Sequence, residues 1–230
     1  MNKRWLVQII ALAVASAGLI LADDAGQILK QTEDTYRRVK SYHFEGTTVS
    51  ETRVGGSVSK SETQFVVAFE KPNKFRVEYV YPSAGNWVRV SDGTKTWKHR
   101  SITKEMTEAA ATEDDLGILD GSPVSLFWNI GENAANPSVA GSESIEVGGK
   151  SHDCFVVQVQ LPTPTDATGA AALPAKLWID KSNHLVLREV SGSPSQRKGG
   201  PGGNTRTTTF TYAEVNQAVP GDLFHLTAKK

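Results

Sequence analysis

From Asp23 to Tyr42 the apolar positions recur at helical spacing. Ile28, Leu29, Thr32, Tyr36 and Val39 fall on one face, with Lys30, Glu33, Arg37 and Lys40 elsewhere. The spacing predicts one amphipathic helix, with Asp23 or Asp24 as its N-cap and Arg37, Arg38 and Lys40 in its last turns, where cations suit the helix dipole. After Tyr42 the period changes to two. Phe65, Val67 and Phe69 alternate with Val66 and Ala68, and Phe75, Val77, Tyr79 and Tyr81 alternate with Arg76 and Glu78. Further strands are expected at 43–54, 87–91, 95–99, 102–106, 144–148, 153–161, 176–180, 184–190, 206–214 and 223–227. Turn signals such as Lys71-Pro72-Asn73, Ser91-Asp92-Gly93 and Gly148-Gly149 separate them. About eleven short strands with short connections predict a largely antiparallel sheet curled into a barrel or partial barrel.

One stretch, between Thr107 and Asn136, breaks the strand rhythm. Thr112 can cap a turn carrying Glu113, Asp114 and Asp115, and Ser122-Pro123 pairs a cap with proline at a first helical position, closed by Gly131. Two short helices in succession are predicted. Leu116, Leu119, Leu126, Phe127, Trp128 and Ile130 make this insertion too apolar for a solvated connection, so it must lie on something apolar. Residues 162–174 and 191–204, rich in Pro, Gly, Ser and Ala, read as mobile loops between strands. No repeat and no shift of composition marks a second domain.

The first 22 residues read as a secretory signal: Lys3 and Arg4, an apolar run from Trp5, then small residues before Asp23. Cleavage after Ala17 or after Ala22 leaves a single domain that begins near residue 23 and runs to 230. With no cysteine near either cleavage site, a lipid-modified N-terminus is not expected, and the product is expected to be soluble. Charge then narrows the partners. Lys and Arg number 25 against 25 Asp and Glu, with a pI near 7.0, so the chain has no field to gather nucleic acid or anionic lipid. Arg197 and Lys198, in the Gly-rich stretch, form the one basic cluster, and they lack the pattern of a phosphate-binding loop.

Catalytic chemistry finds little support. In His152-Asp153-Cys154 adjacent side chains of a strand point to opposite faces and cannot form a relay, so Cys154, the only cysteine, reads as a buried structural thiol. His43, His99, His152, His184 and His225 share no metal-ligand spacing, and the acids Glu143, Glu146 and Asp166 stand singly. No cofactor, metal or enzymatic activity is expected. There remain two readings of the apolar residues: a filled core, or a curved sheet whose apolar face binds a ligand beneath helices at its mouth.

The order of these features resembles the LolA/LolB-like family of periplasmic lipoprotein carriers. The resemblance spans about residues 24–227. It is carried by VRVSDGTKTWKHRSITKEM (88–106), FVVAFEKPNKFRVEY (65–79), Val39-Lys40-Ser41-Tyr42-His43-Phe44 after the helix, FTYAEVNQAVPGDLFHL (210–226), Leu177-Trp178-Ile179-Asp180 and Leu187-Arg188. It implies a mainly β (α+β) fold, an incomplete antiparallel β-barrel wrapped on the N-terminal helix with a short helical lid over a hydrophobic cavity. The lid would be residues 113–130, with Leu116, Leu119, Leu126, Phe127 and Ile130 on its apolar side. The family's latch arginine precedes the turn proline. Here that position is Lys71, which can donate to lid carbonyls but lacks the planar fork of arginine. Cavity candidates at alternating strand positions are Phe65, Val67, Phe69, Phe75, Val77, Tyr79, Trp97, Val157, Val159 and Leu177, with the parity that faces the cavity left open.

The expected function is that of a soluble, monomeric periplasmic carrier of lipoprotein acyl chains or other lipid, meeting a membrane-bound donor or acceptor protein. The alternative is an envelope-stress sensor or interaction module that uses the same fold without transport.

Overall fold

A computed structural model describes residues 22–54, 56–162, 173–194 and 203–226. The signal segment up to residue 21, most of the 162–174 loop, and Arg197 and Lys198 lie outside the described residues.

The chain opens with helix α1 (Ala22–Arg37). Strands β1 (Ser41–Val54), β2 (Ser57–Glu70), β3 (Lys74–Tyr81), β4 (Gly85–Asp92), β5 (Lys95–Arg100) and β6 (Glu105–Ala110) follow as a meander. A connection holds two 3-10 helices, Glu113–Gly121 and Ser125–Asn129, and the single-turn α2 (Ile130–Asn133). Strands β7 (Ala135–Val147), β8 (Lys150–Leu161), β9 (Leu173–Asp180), β10 (Val186–Pro194) and β11 (Gly203–Val215) complete the sheet, and a 3-10 helix (Gly221–Phe224) follows.

All eleven strands form one antiparallel sheet in the order β6-β5-β4-β3-β2-β1-β11-β10-β9-β8-β7. The first and last strands pair at its centre, while β6 and β7 are free edges. The barrel is therefore incomplete. The lid connection links those two edge strands, so it has to cross the open side of the curl.

The expected helical face is the buried one. Ile28, Leu29, Thr32, Tyr36 and Val39 all face the sheet, and the Tyr36 hydroxyl accepts a hydrogen bond from the Val186 N–H at 3.2 Å. Asp23 and Asp24 lie inside the helix and not ahead of it, and Glu33, placed off that face by the spacing, is fully buried. The concave side of the sheet presents rows of opposed apolar side chains. Tyr42, Phe69 and Phe75 form one row, Phe44, Val67 and Val77 the next, and Val157 with Leu177 and Val159 with Ala175 continue it in the second half. Gly46 stands where β1 bulges. A methyl group there would meet the Thr209 carbonyl at 2.4 Å and the Phe65 ring at 2.6 Å, so only glycine lets that ring lie across the strand.

Several boundaries differ from expectation. Residues 101–104 form the β5–β6 turn, with Lys104 in the left-handed region at φ 55°, and the strand expected at 102–106 is β6, shifted to Glu105–Ala110. The strand expected at 223–227 is replaced by the 3-10 helix after Pro220. It plugs Phe224 against β3 and β4, and the Arg76 guanidinium holds it through the carbonyls of Leu223 and His225. Strands β2 and β7 begin earlier than expected, and β10 and β11 extend into the segment expected to be a loop at 191–204. The β2 extension is polar and solvated on both faces, so it carries no alternation to read, and that of β7 alternates only between half-buried and exposed positions.

Candidate functional site

The lid covers the concave face. Phe127 and Ile130 are fully buried and Leu119 nearly so, while Leu116 and Leu126 are half-buried. The Phe127 ring lies 5.3 Å from Tyr36 on the helix and 6.5 Å from Phe210 on β11, and the half-buried Trp128 approaches Tyr42 at 6.3 Å. All five expected lid residues thus turn toward the sheet.

Nine of the ten residues expected to line the cavity share the concave side. Phe65, Val67, Phe69, Phe75, Val77, Val157, Val159 and Leu177 are buried in one apolar cluster, and Tyr79 packs against it. They are close-packed beneath the lid. Trp97 stands on the opposite, convex face: it pairs with Val90 in register, its indole N–H donates to Glu108 at 2.8 Å, and its neighbour Thr96 is the residue that turns inward to the lid. Adjacent strand residues point apart, so selecting one excludes the other.

The ties between lid and scaffold come from residues other than Lys71. Lys71 lies in the β2–β3 turn with its side chain exposed, and its N–H donates to the Lys40 carbonyl. Arg37 of α1 donates to the Trp128 carbonyl at 2.9 Å and to Asn129 Oδ1 at 2.7 Å, and it pairs with Glu132 at 3.1 Å. The buried Glu33 accepts from the Gly131 N–H at 3.0 Å, with Lys30 and Arg37 on its other oxygen at 3.3 and 3.4 Å. Arg89 pairs with Asp115 at the other end of the lid, where Thr96 and the Thr112 N–H also donate to the same carboxylate. The Tyr79 hydroxyl donates to the Gly121 carbonyl at 3.2 Å.

Two tests of these ties follow. Glu33→Ala removes the acceptor of the Gly131 N–H, on an otherwise exposed residue, and is expected to weaken lid docking by about 1 kcal/mol, the usual net worth of a hydrogen bond. Glu33→Gln, which keeps an acceptor, should restore most of it. Hydrogen exchange of the Ile130–Asn133 amides reads the difference. For Asp115, burial raises the pKa, but the hydrogen bonds from Thr112, Arg89 and Thr96 outweigh it and hold the carboxyl below the usual carboxylate range. The folded value therefore lies below the unfolded one, near 3.9. The resulting contribution is complete above that pH and is lost as pH falls through the folded value. Amide protection of residues 115–121, corrected for intrinsic exchange, should decline as pH falls below the ordinary aspartate value of about 3.9, and Asp115→Asn should remove that decline.

A cavity of 480 Å³ lies between the lid and the upper part of the concave face, within the usual range for small-molecule sites. Pro123 and Leu126 of the lid and Leu161 and Leu173 of β8 and β9 give it an apolar side. Ser122, Glu189, Ser191 and Arg206 give it a polar one. Burial pushes the Tyr79 phenol up to about 12, with Tyr81 adding to the rise and Arg206 opposing it, which places the guanidinium in the electrostatic reach of this face. The sequence reading passed over Glu189, Ser191 and Arg206. The alternation of Glu189 and Ser191 was present to be read, but a bulge between Val186 and Arg188 breaks it where β10 leaves the apolar core.

Other hollows are present. One, of 980 Å³, is a groove running from the β1–β2 tip (Arg53, Val58) across β11 and β10 to Lys176 and Gln158; it touches Val159 and shares Ser191, Gly192 and Asn204 with the cavity under the lid. Another, of 700 Å³, holds Trp97, His99 and Met106 on the convex face. A shallow one of 410 Å³ surrounds His152, whose Nδ1 lies 2.5 Å from Asp180 Oδ2, so its partner is Asp180 and not the adjacent Asp153. Cys154 is buried, and burial with the charges of Asp180 and Asp153 pushes its thiol up to about 12, which leaves it protonated at neutral pH. Among the described residues, no cluster of three or more His, Cys, Asp or Glu stands where it could hold a metal ion, and no helix is long and apolar enough to cross a membrane.

An open antiparallel sheet curled on a helix and crossed by a lid is the architecture that the sequence resemblance implies. No family model matches the chain, and no curated protein matches it in sequence. Among solved structures it is similar to the Mycobacterium tuberculosis lipoprotein LppX, at 14% identity over 87% of this chain and 99% of that one, TM-score 0.47. It is similar to the LolA superfamily protein NE2245 from Nitrosomonas europaea, at 11% identity over 88% and 97% of the two chains, TM-score 0.34. It is also similar to a chain of the Pseudomonas aeruginosa MucA/MucB complex, at 18% identity over 89% of this chain and 61% of that one, TM-score 0.44. Each is a likeness of fold.

Proposed function

We propose that this protein is a periplasmic lipid-binding carrier that takes acyl chains, of a lipoprotein or of another lipid, onto its concave face beneath the lid. The observation that supports this reading most directly is the 480 Å³ cavity between the lid and the sheet, which borders, but is not lined by, the apolar rows packed beneath the lid. In the closed form Phe127 and Ile130 occupy the space nearest the apolar rows. A ligand entering deeper displaces them, and its methylenes replace their contacts.

The energetics suit exchange. Burying acyl chains is worth about 0.8 kcal/mol per methylene relative to water. A bilayer offers the same gain, so transfer between membrane and protein is near balance. Lid closure, fastened by Arg37, Glu33 and Asp115, then governs capture and release. In this reading the membrane-bound donor or acceptor acts on the lid.

Native mass spectrometry of the protein purified from its own cell envelope, together with extraction from radiolabelled lipid vesicles, tests this. The expected result is one bound lipid species and a soluble lipid–protein complex. Protein that carries no lipid and extracts none overturns the carrier reading. If a membrane-bound protein co-purifies in place of lipid, the function is that of a sensor or interaction module.

A further inference from the structure

The 480 Å³ cavity is not uniformly apolar, and its polar side is charged in an unusual way. Glu189 is only 5% exposed and turns to the concave face, opposite Leu177 of β9 and Thr208 of β11, both buried. Among the described residues neither Glu189 nor Arg206 forms an ion pair, although both line this cavity. Arg206 is opposite Ser191, two positions along the same face from Thr208, which makes Glu189 and Arg206 diagonal neighbours with backbones about 7–8 Å apart. Across the cavity the Ser122 hydroxyl, on a residue 5% exposed, has no hydrogen-bond partner.

The Ser122 hydroxyl is sealed from water and unpartnered, which is costly, whereas the Glu189 carboxylate, with no ion-pair partner among the described residues, still meets water in this cavity. Groups of this kind turned toward open space are complementary to something that fills it. An occupant that matches this lining brings a cation to Glu189 and an anion to the exposed Arg206, and places an apolar body against Leu126, Leu161 and Leu173. Asp120, exposed at the rim, adds a second site for a positive charge on the way in.

Resting on the carrier reading, we infer that the cavity selects zwitterionic amphiphiles, its preferred occupant being a lipid whose headgroup carries an ammonium and a phosphate a few atoms apart. The ammonium sits at Glu189 and the phosphate at Arg206. The acyl chains run down from the headgroup under Leu126 toward the apolar rows. Neutral and purely anionic amphiphiles with the same chains leave Glu189 unpaired and bind more weakly.

The test is extraction by the full protein from vesicles in which one component is radiolabelled: dioleoyl phosphatidylethanolamine, dioleoyl phosphatidylglycerol or dioleoylglycerol, all with the same chains. The wild type is expected to solubilise the phosphatidylethanolamine at least tenfold more than either of the others. Glu189→Gln, which keeps the shape, is expected to abolish the preference over phosphatidylglycerol. Arg206→Gln is expected to abolish the preference over dioleoylglycerol. Equal extraction of all three lipids, or a preference for phosphatidylglycerol, overturns the headgroup inference and leaves the carrier reading standing. Extraction of none of them overturns the carrier reading itself. Thermal unfolding of both variants controls for misfolding. If Glu189→Gln is unstable, Ser191→Ala serves instead, with a reduced preference expected and an unchanged one counting against the inference.

Discussion

Phe127→Ala is expected to release the lid while the sheet stays folded. The ring is fully buried between Tyr36 and Phe210, and truncating a buried Phe costs about 3–5 kcal/mol. That loss falls on a segment otherwise held by the burial of Leu119, Val124 and Ile130 and by a few hydrogen bonds and ion pairs, so it should appear first as local opening and not as global unfolding. Amide protection across residues 115–133 should drop roughly a hundredfold or more, since each 1.4 kcal/mol is a factor of ten. On the carrier reading, lipid uptake should become faster, because the binding-competent open form is then no longer a rare one. If protection falls equally in the lid and in β8–β11, the lid is part of the core and the gating argument fails.

Phe210→Ala should do the reverse. Phe210 is fully buried at the joint of the sheet, edge-on to Phe44 at 5.6 Å and to Phe65 at 5.5 Å. Strand β11 is where the second half of the chain pairs with the first, through β1. A cavity there is expected to cost about 3–5 kcal/mol of global stability, read as a lower urea midpoint at unchanged slope. Because the Phe127 and Phe210 rings are 6.5 Å apart, the double variant should be less than additive. Strict additivity would show that the two rings do not act on one another.

These expectations rest on features of unequal legibility. The helix and the core strands could be read because one face of each is buried, so Ile28, Leu29 and Tyr36 repeat at helical spacing and Phe65, Val67 and Phe69 at strand spacing. Where both faces meet water, as in Ser57–Gln64, no alternation forms, and only pairing with neighbours makes the strand. The lid ties were harder. Glu33 follows Leu29 by four residues and precedes Tyr36 by three, a position on the buried face that its charge concealed. Arg37 had a sufficient reason to be at a helix C-terminus without any lid to hold. Trp97 shows the limit of hydrophobicity as a guide: a large aromatic beside Thr96 invites an inward assignment, yet the inward neighbour is the threonine that reaches Asp115.

The lid joins the two outermost strands, and that gives it a second property. Drawn out, the connection from Ala110 to Ala135 could span roughly 80 Å, far more than the distance it bridges when folded. Once undocked it exerts no tension, so β6 and β7 are free to move apart and the curl of the sheet can widen from both ends. On the carrier reading, the aperture is then set by the sheet's own coiling and adjusts to occupants of different girth.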